Sequence, residues 1–224
     1  MQIEIITATR YSVADFQTKS ALGQSLERMA DPSIGLRLMV ENKRGLPAVY
    51  NDCLAAAGAD SILVFMHDDV WIDDYFFAQR LMDGLSAFDI IGVAGNKRRR
   101  TAQPTWQFLD SDFTPDNPEN LSGQVAHGDK PFGAISKYGP VPVACEILDG
   151  VLLAARKSML AENDLRFDTR FDFHFYDLDF CREARECGLN LGTWPIALTH
   201  QSAGVFGRGP WLDAYKVYLT KWGS

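Results

Sequence analysis

The chain has 224 residues, 46% of them hydrophobic and 12% aromatic, enough for one sizeable core. Its formal net charge of −7 argues against a nucleic-acid partner held by global electrostatics. Its longest apolar stretches are of strand length, far short of the roughly 20 residues that span a bilayer. The N-terminus Met1-Gln2-Ile3-Glu4-Ile5-Ile6 lacks the basic and long apolar regions of a secretory signal and reads as a first strand. None of the four cysteines (Cys53, Cys145, Cys181, Cys187) forms a C-x-x-C pair, and three fall within expected helices. Free buried thiols in a reducing compartment, the cytosol, are therefore expected.

The first hundred residues alternate two periodicities. Ile3–Ala8 is a short β run, and Ala21–Ala30 carries Leu22, Leu26 and Met29 at helical spacing. Leu36–Val40 is a second strand. Leu46–Ala57 is a helix with Pro47 in its first turn, where a missing N–H is tolerated. Ser61–Met66 is a nearly continuous apolar run, as in a strand buried on both faces. Asp74–Ala87 follows as a helix and Ile90–Ala94 as an apolar strand. This order predicts an α/β fold, Rossmann-like, with a mostly parallel sheet flanked by helices. Ligands in such sheets bind beyond the carboxyl ends of the strands.

Residues 96–147 break the pattern. They are rich in Pro, Gly, Asp and Asn, with isolated aromatics such as Trp106 and Phe113, and predict an irregular insertion, either a functional loop or an embedded hairpin. Regularity resumes with strand Val151–Ala155, a helix over Asp177–Cys187 stopped by Gly188, a strand over Leu191–Ile196, and a Gly-rich tail through Val205–Gly209. With no internal repeat or linker, residues 1–224 are expected to form one domain.

Two segments carry candidate chemistry. The strand ending Phe65-Met66-His67-Asp68-Asp69-Val70 delivers adjacent carboxylates at its carboxyl edge. Like charges this close repel unless a cation neutralises them, and Mg²⁺ or Mn²⁺ prefers carboxylate and phosphate oxygens. The alternative is a solvated loop, with Asp73 and Asp74 capping the next helix. In Phe173-His174-Phe175-Tyr176-Asp177-Leu178-Asp179, Asp177 lies at a helix start, where the macrodipole favours its ionised form. It is a candidate general base or a plain cap. Asp179 is expected to pair with Arg182. His200 follows the last strand and is either packed or a metal ligand. The run Lys97-Arg98-Arg99-Arg100 is either a solvated loop or a phosphate contact.

Taken in order, four blocks resemble the family 2-like glycosyltransferases of GT-A fold, in particular bacterial members with a strand ending in His-x-Asp-Val. The blocks are Gly45–Asn51, Ile62–Val70, Leu148–Ala154, and Phe171–Gly188 with His200. The resemblance implies that Thr7 and Glu41 contact the nucleotide base and that Asn51, Asp149 and Gly150 line the nucleotide-sugar site. Asp68 would lie near the ribose, Asp69 and His200 would hold a divalent Mn²⁺ or Mg²⁺, and Asp177 would be the base of an inverting transfer. The donor implied is a nucleotide-diphosphate sugar and the acceptor a glycan or a lipid-linked sugar, within polysaccharide biosynthesis. The chain departs from the family pattern at His67, in place of the first acid of Asp-x-Asp, at Tyr176, in place of a Glu, and at Tyr50, in place of an Arg. No membrane-associating C-terminal helix is expected, so the protein would be free in the cytosol or held at a membrane by a partner. A nucleotidyltransferase of similar architecture would call for a Gly-rich phosphate loop that Thr7-Ala8-Thr9-Arg10 does not offer. A non-catalytic nucleotide-sugar-binding protein is the other alternative.

Overall fold

The computed structural model describes residues 2–202, 204 and 206–223. The first half of the chain runs β1 (Ile3–Ala8), α1 (Val13–Lys19), α2 (Ala21–Met29), β2 (Ile34–Met39), α3 (Leu46–Ala56), β3 (Ile62–Met66), β4 (Val70–Ile72), α4 (Phe77–Ala87), β5 (Ile90–Gly92) and β6 (Ala94–Asn96). The second half carries β7 (Leu121–His127), β8 (Ala134–Gly139), β9 (Val143–Cys145), β10 (Ile147–Leu148), β11 (Leu152–Arg156), α5 (Lys157–Glu162), α6 (Tyr176–Glu186), β12 (Leu191–Thr193), β13 (Leu198–His200) and α7 (Pro210–Trp222).

Two sheets form. The larger has the order β2-β1-β3-β11-β5-β12-β9, and the second the order β10-β6-β7-β13-β4 with β8 on β7. In the larger sheet β2, β1, β3, β5 and β12 share one direction, while β11 and β9 run against it. The parallel expectation holds for the first strands and is corrected at β11, so the sheet is mixed. All five residues of β3 are buried, which explains its unbroken apolar run. Buried side chains from both sheets join in one cluster, with Phe65, Phe167, Phe180 and Tyr176 beneath the carboxyl end of β3.

Of the two readings of residues 96–147, the embedded hairpin holds: β7 and β8 pair antiparallel within the second sheet, while β9 joins the edge of the larger one. Their polar composition obscured short strands, because β8 is an edge strand that faces solvent along most of its length. The apparent run Ile90–Ala94 is divided between β5 in one sheet and β6 in the other.

The C-terminus also differs from expectation. Val205, in the Gly-rich tail, lies outside the described residues, but Pro210–Trp222 forms α7. Its Trp211, Tyr215 and Tyr218 pack on Phe175, and its Lys221 joins Asp168, Asp179 and Glu183 at 2.9, 2.7 and 2.7 Å. Asp179 thus pairs with Lys221 and with the Trp222 indole rather than with Arg182, whose guanidinium stacks over Trp222 instead. Asp73 accepts from the Thr199 hydroxyl and Asp74 from the Phe76 N–H ahead of α4, whose N-cap position is Phe76. All four cysteines are unpaired: Cys53, Cys145 and Cys181 are buried and Cys187 is exposed. No described helix is long and apolar enough to cross a membrane.

Candidate active site

The site is built where the chain passes from one sheet to the other. β3 ends the apolar run at Met66, and β4 starts at Val70 in the second sheet, so His67, Asp68 and Asp69 form the turn between them. β13 pairs antiparallel with β4 and places His200 opposite Val70. The backbone N–H of Gln201 donates to the Asp69 carbonyl at 3.0 Å, which fixes the end of β13 against the turn.

His67, Asp69 and His200 converge as a result, offering ligand atoms within 4.8 Å of one another. Asp69 Oδ1 lies 3.2 Å from His200 Nε2 and 3.9 Å from His67 Nδ1. It is nevertheless buried without a hydrogen bond of good geometry, while His200 Nε2 is 3.0 Å from the Ser202 hydroxyl. Burial raises the Asp69 carboxyl, but the neighbouring His200 and His67 outweigh it and hold the group at about 2. Burial pushes the His67 imidazole down, so it is neutral at pH 7. His200 is also pushed down by burial, but its contact with Asp69 leaves it raised on balance. An ionised carboxylate with an orphaned buried oxygen, facing two imidazoles, fits a divalent cation.

On the other side of His67 stands the start of α6. Phe175, its N-cap, adopts the left-handed region at φ 66°, a strained state for a bulky residue. The three aromatic rings of α7 hold it there, and the resulting turn presents Tyr176 and Asp177. Asp177 Oδ2 accepts from the Gly150 N–H at 2.9 Å, and the Tyr176 hydroxyl donates to the Gly150 carbonyl at 2.9 Å. A Cβ on Gly150 would lie 2.5 Å from the Tyr176 hydroxyl and 2.9 Å from Asp177 Cβ, so only glycine fits. Asp149 is fixed by the Val151 N–H on one oxygen and by the Trp106 indole N–H on the other. Burial, and then the Asp149 carboxylate, raise the Asp177 carboxyl to about 7. A carboxyl poised near neutrality is suited to exchanging a proton at physiological pH.

A cleft of about 1110 Å³ opens from the Asp68-Asp69 turn across the carboxyl ends of β1 and β2. Thr9, Tyr11, Glu41, Lys19 and Phe173 line it, together with both aspartates. Asp68 Oδ2 accepts from the Thr9 hydroxyl at 2.6 Å. Glu41 sits at φ 48°, where the chain turns out of β2, and its N–H donates to the Tyr11 carbonyl.

Of the residues singled out in the sequence, Glu41, Asp68 and Asp69 meet in this cleft, His200 reaches Asp69, and Asp149, Gly150 and Asp177 meet one another beside Tyr176. Thr7 and Asn51 lie elsewhere. Thr7 is fully buried in β1, outside the cleft lining. The Asn51 amide is spent on Phe167, donating to its carbonyl at 2.7 Å and accepting from its N–H at 2.9 Å. From the basic run, Arg98 pairs with Asp116, which also binds Asn96 and Asn120. Sequence reasoning missed Thr9, one residue beyond the strand end, and the contribution of His67, whose signal was its placement two residues before Asp69 on the same turn.

The sequence matches a glycosyltransferase like family over residues 26–202. No curated protein matches it at a significant level. Among solved structures, GalNAc-T7 with UDP, GalNAc and Mn²⁺ superposes with a TM-score of 0.54 at 11% identity, covering 98% of this chain and 48% of that one. The chain thus spans about half the length of GalNAc-T7. The catalytic domain of Drosophila β1,4-galactosyltransferase 7 in complex with xylobiose gives 0.51 at 10% identity, covering 96% and 79%. The two likenesses show the fold, which is that of GT-A enzymes, and the match over residues 26–202 shows the family: this chain belongs to the glycosyltransferase like family.

Proposed function

We propose that the protein is an inverting, divalent-metal-dependent glycosyltransferase that takes a sugar from a nucleotide-diphosphate donor to a glycan or related acceptor. The observation that carries this reading is a histidine–aspartate–histidine cluster whose Asp69 lines a nucleotide-sized cleft and whose His67 is hydrogen-bonded to Tyr176, the residue before a carboxyl held near neutrality, Asp177. The fold likeness to a structure holding UDP and Mn²⁺ is in keeping with it.

Asp69, His67 and His200 would hold the cation. Two imidazoles with one carboxylate favour Mn²⁺ over Mg²⁺, which prefers an all-oxygen shell. When bound, the cation supplies positive charge to a leaving diphosphate. The chain's own groups do the rest. Glu41 and Tyr11 face the base end of the cleft, and Asp68, steadied by Thr9, faces the ribose. Asp177 removes the proton from the acceptor hydroxyl as that oxygen bonds to the anomeric carbon and the bond to the diphosphate breaks. The Gly150 N–H keeps the Asp177 carboxylate aimed, and the new bond forms opposite the leaving group, which inverts the configuration.

The test is Asp177→Asn in a transfer assay with Mn²⁺ and a panel of nucleotide sugars. Transfer should be lost while donor binding persists; turnover at the wild-type rate would remove Asp177 as the base.

A further inference from the structure

The two departures from the family pattern closest to the chemistry, His67 and Tyr176, touch each other: His67 Nε2 lies 3.0 Å from the Tyr176 hydroxyl. A phenol has one proton to donate. Here it goes to the Gly150 carbonyl at 2.9 Å, an atom that can only accept. Turning the proton toward His67 instead would leave two lone pairs facing each other at that distance. The Tyr176 oxygen therefore accepts from His67, and the imidazole proton sits on Nε2. In a neutral ring the other nitrogen, Nδ1, then carries a free lone pair. That nitrogen faces Asp69 Oδ1 at 3.9 Å, acceptor toward acceptor, an arrangement that a cation between them would relieve.

We propose that Tyr176 is a positioning residue that sets the His67 tautomer, making Nδ1 the ligand atom it offers beside Asp69 and His200. The proposal rests on the metal-dependent reading above. Three features make the placement rigid. Tyr176 is buried, with its ring packed against Tyr50 and Phe167. His67 is stacked on Phe173, with ring centroids 5.5 Å apart. Gly150 admits the close approach because a Cβ there would meet the Tyr176 hydroxyl. The N–H of the same glycine donates to Asp177, so the two peptide groups flanking Gly150 align the histidine, through Tyr176, and the base carboxylate. Hydrogen bonds to the far nitrogen of a metal-binding histidine commonly fix its tautomer in this way.

The experiment has two parts. In the first, ring-¹⁵N histidine spectra of the metal-free wild type at neutral pH should show His67 protonated on Nε2. A proton on Nδ1 would overturn the proposal without any variant. In the second, Mn²⁺ affinity is measured by calorimetry for wild type, Tyr176→Phe, His67→Ala and the double variant. Tyr176→Phe should weaken Mn²⁺ binding about 10–100-fold, and should have no further effect once His67 is gone. An unchanged affinity in Tyr176→Phe, or an equal loss in both backgrounds, would show that the tyrosine does not act through His67. A wild type that binds no Mn²⁺ would instead refute the metal-dependent reading, leaving the tautomer to be decided by the spectra.

Discussion

Replacing Asp177 by Asn should make the metal-free fold more stable at alkaline pH, and should abolish the transfer seen when Mn²⁺ is supplied. The carboxyl stands at about 7 in the folded chain against an ordinary value of 3.8, because it is buried and faces Asp149. Between those limits the folded state keeps a proton that the unfolded chain has released, so wild-type stability falls as pH rises from about 4 to about 7 and is level beyond. The full difference corresponds to about 4 kcal/mol. Water reaches the half-buried side chain, so we expect about 2–3 kcal/mol after screening. Asn cannot ionise and keeps an oxygen for the Gly150 N–H, so it escapes this loss. Thermal melts in chelator should show the variant about 5–10 °C above wild type near pH 8, with the gap closing toward pH 4. A gap independent of pH, or a wild type whose stability does not fall across this window, would refute the placement of a proton on Asp177.

Asn51→Ala should cost about 1–3 kcal/mol for each Phe167 backbone group it leaves unpaired, read in denaturant melts, with nucleotide affinity unchanged; a selective loss of affinity would return Asn51 to the binding site. Lys221→Met should destabilise by about 3–5 kcal/mol, because it strands the buried Asp179 carboxylate beside Asp168. The loss should shrink at acid pH, where these carboxylates take up protons.

Much of the site was legible because its residues stand at strand ends. The apolar run of β3 and its acidic turn located Asp68 and Asp69, and the chain order then reached Asp177 and His200. What was not legible depends on contacts between distant segments. No local signal tells that Asn51 will meet the Phe167 backbone or that Thr7 will be sealed in β1. The second sheet was hidden because β4, β6, β10 and β13 are only two or three residues long, too short for a period-2 pattern. α7 was the more recoverable omission. Pro210 at its start, with Trp211, Ala214, Tyr218 and Trp222 following at helical spacing, reads as an apolar stripe once attention leaves the glycines before it.

The proposed chemistry requires sugar nucleotide and cation to bind together at the Asp69 turn. Thermal shift against a panel of nucleotide-diphosphate sugars, with and without Mn²⁺, tests it in wild type and in Asp69→Ala. One donor class should raise the melting temperature of the wild type only when Mn²⁺ is present, and should leave Asp69→Ala unmoved. An equal shift in excess chelator, or a full shift in Asp69→Ala, would contradict it.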